Sequence, residues 1–169
     1  MSTANTLAED LVAVGITLNG TPYAGVVEGR TSLADLVREQ RCLTGTHLAC
    51  EHGVCGACTI LVDGEPVRGC ITLAAAVDGA RVDTIEAFAD DPLMAIIRTA
   101  FSEAHGLQCG FCTPGMLITV RDMIRRGVAG SEAEIRMELA GNLCRCTGYA
   151  GIVKAVQLAK ERAGSVART

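Results

Sequence analysis

Apolar positions along this 169-residue chain change their period near its middle. In the first half they are short and alternating. Val12–Leu18 alternates and ends at Asn19–Gly20, a dipeptide suited to a two-residue hairpin turn, and Tyr23–Val27 is the predicted returning strand. Ser32 followed by Asp35 predicts a helix N-cap with an acid in the first turn, and Leu33, Leu36 and Val37 give that helix one apolar face to about Glu39. Thr59–Val62 reads as a strand closed by Asp63–Gly64, with Val67–Ile71 returning. The order strand, strand, helix, loop, strand, strand predicts an α+β unit ending near Thr84.

Beyond it the apolar spacing is helical. Asp91–Pro92 predicts a cap followed by Pro at the first helical position, and Leu93, Ile96, Ile97, Ala100, Phe101 and Ala104 recur on one face before Gly106. Thr113–Pro114 predicts a second start, with Leu117, Val120 and Ile124 inward and Gly127 as the stop. Ser131 with Glu134 is a capping-box pattern for a short helix to about Leu139. Ile152, Val153, Val156 and Ala159 place a fourth helix to about Ala163, and the tail GSVART is expected to fray. Four helices with short links predict a compact helical bundle.

Composition narrows the function classes. A net charge of −4 disfavours a nucleic-acid partner. No apolar run reaches the roughly 18–20 residues of a membrane span, and MSTANTLAEDL lacks the charged-then-apolar order of a secretory signal. Nine cysteines without such a signal point to metal or redox use in a reducing compartment, with the cytoplasm as the expected location. Aromatics are 3% and Trp is absent, so the core is expected to be built of Ala, Val, Leu and Ile. No Ser/His/Asp set, phosphate-binding glycine loop or paired acids stand out.

The cysteines carry the chemistry. Cys50, Cys55 and Cys58 have the spacing C-x4-C-x2-C, and Cys70 follows after eleven residues, which is the plant-type [2Fe–2S] ferredoxin pattern. A binuclear cluster needs four converging thiolates, three from one tight loop and one from a separate segment. Gly53 and Gly56 let that loop turn and aim N–H groups at sulfur. Cys109 and Cys112 form C-x2-C before one helix start, and Cys144 and Cys146 form C-x-C before another. The positive ends of helices favour thiolates there, and two such pairs suit a second binuclear cluster.

Other readings stay open on spacing alone. Zinc held by Cys55, Cys58, Cys109 and Cys112 would leave five cysteines over, whereas two clusters leave only Cys42. Cys50-Glu51-His52 imitates half of a Rieske motif, but the second Cys-His pair is missing. His47, His52 and His105 read as loop or surface residues, Cys42 as a small packed apolar residue, and Lys154, Lys160, Glu161 and Arg162 as a solvated face.

C-x4-C-G-x-C at Cys50–Cys58, Q-C-G-F-C-T-P-G at Gln108–Gly115 and G-N-L-C-R-C-T-G-Y at Gly141–Tyr149 together resemble the iron–sulfur part of the molybdenum hydroxylases, over about residues 10–160. That family includes xanthine dehydrogenase, aldehyde oxidoreductase and carbon monoxide dehydrogenase. The resemblance implies a β-grasp ferredoxin domain over residues 1–84 and a four-helix-bundle domain over residues 85–169, each holding one [2Fe–2S] cluster. It further implies a separate small subunit, partnered by a large molybdopterin subunit and a medium FAD subunit in a dimer of heterotrimers. The cluster of Cys109, Cys112, Cys144 and Cys146 would then lie proximal to molybdenum, with Gln108 and Cys146 close to the pterin. The cluster of Cys50, Cys55, Cys58 and Cys70 would lie nearer FAD. Ala150-Gly151 stands where xanthine-type enzymes tend to have Arg-Pro, which leans toward the carbon monoxide dehydrogenase-like subgroup. A free-standing ferredoxin-type carrier and a zinc-stabilised interaction module are the rival functions.

Overall fold

Residues 10–128 and 130–166 are described here by a computed structural model. Strands β1 (Leu11–Leu18) and β2 (Thr21–Glu28) form an antiparallel hairpin in register from Leu11↔Glu28 to Leu18↔Thr21. Asn19 and Gly20 both have positive φ, 48° and 77°, the turn geometry that matches the twist of the flanking strands. Val14, Ile16 and Leu18 of β1 are buried on one face, so a slip of one residue would move all three into solvent.

The Ser32 hydroxyl accepts the Asp35 N–H and opens α1 (Leu33–Asp35), which runs directly into a π-helical turn, Leu36–Gln40. Strands β3 (Thr59–Val62) and β4 (Glu65–Arg68) form the second hairpin. The return strand is shorter than Val67–Ile71. The Gly69 carbonyl turns to accept the Ala34 N–H, and the Ile71 N–H bonds back to Arg68, so Cys70 sits on a turn instead of a strand. A fifth strand, β5 (Arg81–Asp83), has no counterpart in the sequence reading. Three residues are too few to show an alternation. It lies at the centre of the sheet, in the order β2-β1-β5-β3-β4, parallel to β1 and antiparallel to β3.

Four helices follow: α2 (Pro92–Glu103), α3 (Thr113–Arg126), α4 (Glu132–Glu138) and α5 (Ala150–Val166). The Ser131–Glu134 capping box forms with both of its hydrogen bonds. Helix α5 passes the expected end at Ala163, and residues 167–169 of the tail lie outside the described residues. Arg162 is more than part of a solvated face, because its guanidinium pairs with Glu103 of α2 at 2.6 Å. Among the described residues no helix is long and apolar enough to cross a membrane.

Two apolar clusters result. Val14, Ile16, Leu18, Leu33, Leu36, Val37 and Ile60 lie under the sheet, while Met94, Ile97, Phe101, Met116, Val120, Ile135 and Ile152 fill the space between the helices. Strand β3 faces both, since Ile60 belongs to the first cluster and its neighbour Leu61 to the second.

Asp91 ties the helices together. Its carboxylate caps α2 by accepting the Met94 N–H at 2.7 Å and pairs with Arg121 of α3 at 2.7 Å, with the two side chains 20% and 14% exposed. The Arg121 guanidinium, ahead of every other influence, holds the Asp91 carboxyl below its usual range. A depressed folded-state value gives stability that is complete above the unfolded value of about 3.9 and lost as pH falls through the folded one. Asp91→Ala is expected to cost about 2 kcal/mol at neutral pH, from the lost cap and the lost charged hydrogen bond. Urea titrations should find that gap constant from about pH 7 to 5 and narrowing below about pH 4. A gap independent of pH would mean that the charge contributes nothing.

Candidate metal centre

The first cysteine set lies on the loop between the π-helical turn and β3, and on the turn after β4. Cys58 is buried, and Cys50, Cys55 and Cys70 are half-buried. The Cys55 N–H points at the Cys50 Sγ, 3.3 Å away. That amide, then the amide of His52, holds the Cys50 thiol down to about 6. Burial pushes Cys70 up to about 11, and a hydrogen bond shared with Cys58 adds to the rise. Gly56 makes the loop possible twice over. Its φ is +71°, and a Cβ there would run into the Gly141 carbonyl oxygen of the helical half.

The second set is assembled from two loops beside helix starts. Cys112 is itself the N-cap of α3, one residue earlier than the Thr113–Pro114 signal suggests, so the positive end of a 14-residue helix faces this set. The sulfurs of Cys146 and Cys109, both exposed, are 3.5 Å apart. Burial, followed by a hydrogen bond shared with Cys144, pushes Cys112 up to about 12. Burial also works upward on Cys144. The Thr147 hydroxyl, donating to its sulfur at 3.2 Å, and nearby backbone N–H groups outweigh it and hold Cys144 below its ordinary value. Cys146 is raised, chiefly by the hydrogen bond it shares with Cys109. The Tyr149 hydroxyl accepts the Cys144 N–H at 2.9 Å and donates to the Asn142 carbonyl at 3.1 Å, which closes the C-x-C loop.

In both sets some thiols are pulled down while a neighbour is pushed up. Sulfurs packed this closely share protons, because adjacent thiolates repel. Cations placed among them would release those protons, so a sulfur-only donor set with N–H and O–H groups aimed at it fits thiolate-held iron. Among the described residues no three His, Cys, Asp or Glu side chains converge tightly enough on a single metal ion. A binuclear cluster would instead be held by the four thiols of one set, Cys50, Cys55, Cys58 and Cys70 or Cys109, Cys112, Cys144 and Cys146.

The two loops are joined to each other. The Leu143 N–H, adjacent to Cys144, donates to the carbonyl of Cys55 at 2.8 Å. Asn142, 2% exposed, donates to the Gly56 carbonyl at 3.1 Å and accepts from the Thr119 hydroxyl of α3 at 3.0 Å. Arg68 donates to the Thr59 hydroxyl at 2.7 Å and to the Gly141 carbonyl at 2.6 Å. His47 lies in a loop as expected, but it has partners there. It is half-buried, donates to the Phe111 carbonyl at 2.6 Å and stacks on that ring at 4.8 Å. Cys42 is not packed as expected, for it is exposed with φ of +54°. Gln108 is exposed and directly precedes the exposed Cys109. Sequence reasoning missed Arg68, Asn142 and Tyr149 as parts of the site. Asn142 and Tyr149 fall inside the G-N-L-C-R-C-T-G-Y run, which was the only available signal for them.

Comparison with known proteins agrees with this chemistry. A family model described as "2Fe-2S iron-sulfur cluster binding domain" matches residues 16–87, and one described as "[2Fe-2S] binding domain" matches residues 84–157. The gamma subunit of caffeine dehydrogenase from Pseudomonas sp. (strain CBB1) is 48% identical over 147 residues, covering 85% of this chain and 88% of that protein. The small subunit of nicotine 6-hydroxylase from Paenarthrobacter nicotinovorans is 46% identical over 147 residues, covering 87% and 88%. Among solved structures, quinoline 2-oxidoreductase from Pseudomonas putida 86 superposes with a TM-score of 0.84 at 44% identity, over 92% of this chain and 98% of that one. The aldehyde oxidoreductase of Desulfovibrio gigas superposes with a TM-score of 0.81 at 34% identity, over 92% of this chain and 17% of that longer one.

Proposed function

This chain belongs to the iron–sulfur small subunits of the molybdenum hydroxylase family, and on that premise we propose that it relays electrons from a molybdopterin centre to FAD through two [2Fe–2S] clusters. Cys50, Cys55, Cys58 and Cys70 hold one cluster, and Cys109, Cys112, Cys144 and Cys146 hold the other. Each cluster, when bound, supplies a one-electron acceptor and donor. The chain's own residues provide the thiolates and the N–H and O–H groups that stabilise charge on sulfur.

The observation that carries this reading is the hydrogen bond from the Leu143 N–H to the Cys55 carbonyl. It joins a residue of one cysteine set to the neighbour of a residue in the other, so a bonded route between the sets crosses a single hydrogen bond. A carrier with one centre has no use for such a junction. Exposed Leu107, Phe111 and Leu143 surround the second set, as a face covered by another subunit requires. We assign that face, with Gln108 and Cys146, to a large molybdopterin subunit, and the Cys50–Cys70 side to a medium FAD subunit in a dimer of heterotrimers. The sheet order and the separate apolar clusters support a β-grasp unit over residues 1–84 and a four-helix bundle over residues 85–169. Nine free thiols suit the reducing cytoplasm.

Purified protein should contain about four irons per chain and give two distinct EPR signals after reduction. Half that iron with one signal would remove a cluster from the proposal. Colourless, zinc-containing protein would favour the interaction module. Iron-loaded protein that never co-purifies with two larger chains would favour the free carrier.

A further inference from the structure

Arg68 stands out among the arginines near the cysteines. It is the last residue of β4, two positions before Cys70, and the residue is half-buried. Its described partners are the Thr59 hydroxyl and the Gly141 carbonyl, both neutral, and it forms no ion pair among the described residues. Those neutral partners satisfy its N–H groups and leave its charge uncompensated, which is costly for a half-buried cation. Thr59 follows Cys58, and its hydroxyl donates to the Gly56 carbonyl at 2.6 Å. Gly141 lies three residues before Cys144. The cation therefore bridges the hydroxyl of the residue that follows Cys58 to a backbone carbonyl of the segment that leads to Cys144.

We propose that Arg68 is the shared counter-charge of both cluster sites and sets their reduction potentials together. This rests on the two-cluster reading above. A four-thiolate site is anionic before reduction and more so after it. When an external donor gives one electron to each site, with no proton transferred, the nearby cation favours the reduced form at both. Gly141 is part of the device, because a Cβ there would sit 2.5 Å from the Arg68 Nη2 and push the guanidinium away.

The test is a dithionite titration of the cluster-loaded full chain, with each cluster followed by its EPR signal. Arg68→Gln keeps donor groups and removes the charge. Both midpoint potentials should fall, each by about tenfold in the one-electron equilibrium, or ~59 mV. Arg68→Lys keeps the charge and should hold both potentials near wild type while losing the paired hydrogen bonds. Gly141→Ala should lower both potentials by displacing an unaltered Arg68, and it carries the test if the Gln variant does not fold. Arg30→Gln, on the exposed Arg30–Glu28 pair, should change neither. Potentials unmoved in Arg68→Gln and Gly141→Ala, with both signals at full intensity, overturn the proposal. Movement of only one potential overturns the shared role. Wild-type protein lacking one of the two signals would sink the two-cluster reading, and this inference with it.

Discussion

Cys55→Ser is expected to abolish or grossly alter one of the two EPR signals and to remove about half of the bound iron, whereas Cys42→Ser leaves both signals at wild-type intensity. A serine oxygen is a poorer ligand than a thiolate for iron that already depends on sulfur donors. The Cys55 N–H that points at the Cys50 sulfur belongs to the backbone, and so does the carbonyl that receives Leu143. The substitution therefore leaves the loop tied in place and removes one of the thiols proposed as ligands. Cys42 differs in every respect that matters here. It is exposed, falls outside both spacing patterns and sits in a left-handed backbone conformation beyond the π-helical turn. Loss of iron from the Cys42 variant would overturn the division of the cysteines, and full iron in the Cys55 variant would do the same.

Gly115→Ala should lower stability by about 2 kcal/mol, although alanine is the better helix former by about 1 kcal/mol. Gly115 lies in the first turn of α3, where that helix presses on the loop carrying Cys55 and Cys58. A Cβ at this position would collide with the Gly56 carbonyl oxygen and lie 3.0 Å from that of Ala57. Both obstacles are backbone, so no rotamer change relieves them. The same carbonyl of Gly56 receives Asn142, whose side chain is held by the Thr119 hydroxyl one turn along α3. Displacing α3 thus strains a buried hydrogen-bond network as well as a packing contact. Denaturant titration measures the loss. An unchanged or raised stability would show that the loop yields to the helix at no cost.

The elements legible in the sequence are those whose chemistry is local. Asn19–Gly20 fixes a turn through its own backbone angles, and Asp91 and Ser131 cap helices whose first turns lie within three residues of them. The nearness of Cys50 to Cys55 is legible for a related reason, since they lie five residues apart on one loop, whereas that of Cys109 to Cys146 is suggested only by the two short cysteine motifs. Strand β5 is illegible because its three residues take their identity from β1 and β3 on either side. The roles of Arg68 and Asn142 are illegible too, because the Gly141 and Gly56 carbonyls that they bind lie 73 and 86 residues away. A polar side chain whose partner comes from the other half of the chain looks like any surface residue until the halves meet.

Strand β3 gives the chain a direction of assembly. Ile60 and Leu61, adjacent in sequence, are committed to opposite apolar clusters. The sheet needs nothing beyond β5, which ends at Asp83, so every strand is made before, and clears the ribosome ahead of, the first residue of α2. Ile60 can be buried at that stage, while Leu61 waits as a bare apolar spot on a finished sheet. The helices emerge later into the presence of a template, and α3 packs against β3. Helical segments made without that sheet would have to close their core around a missing wall. Vectorial synthesis from the amino end supplies the wall first.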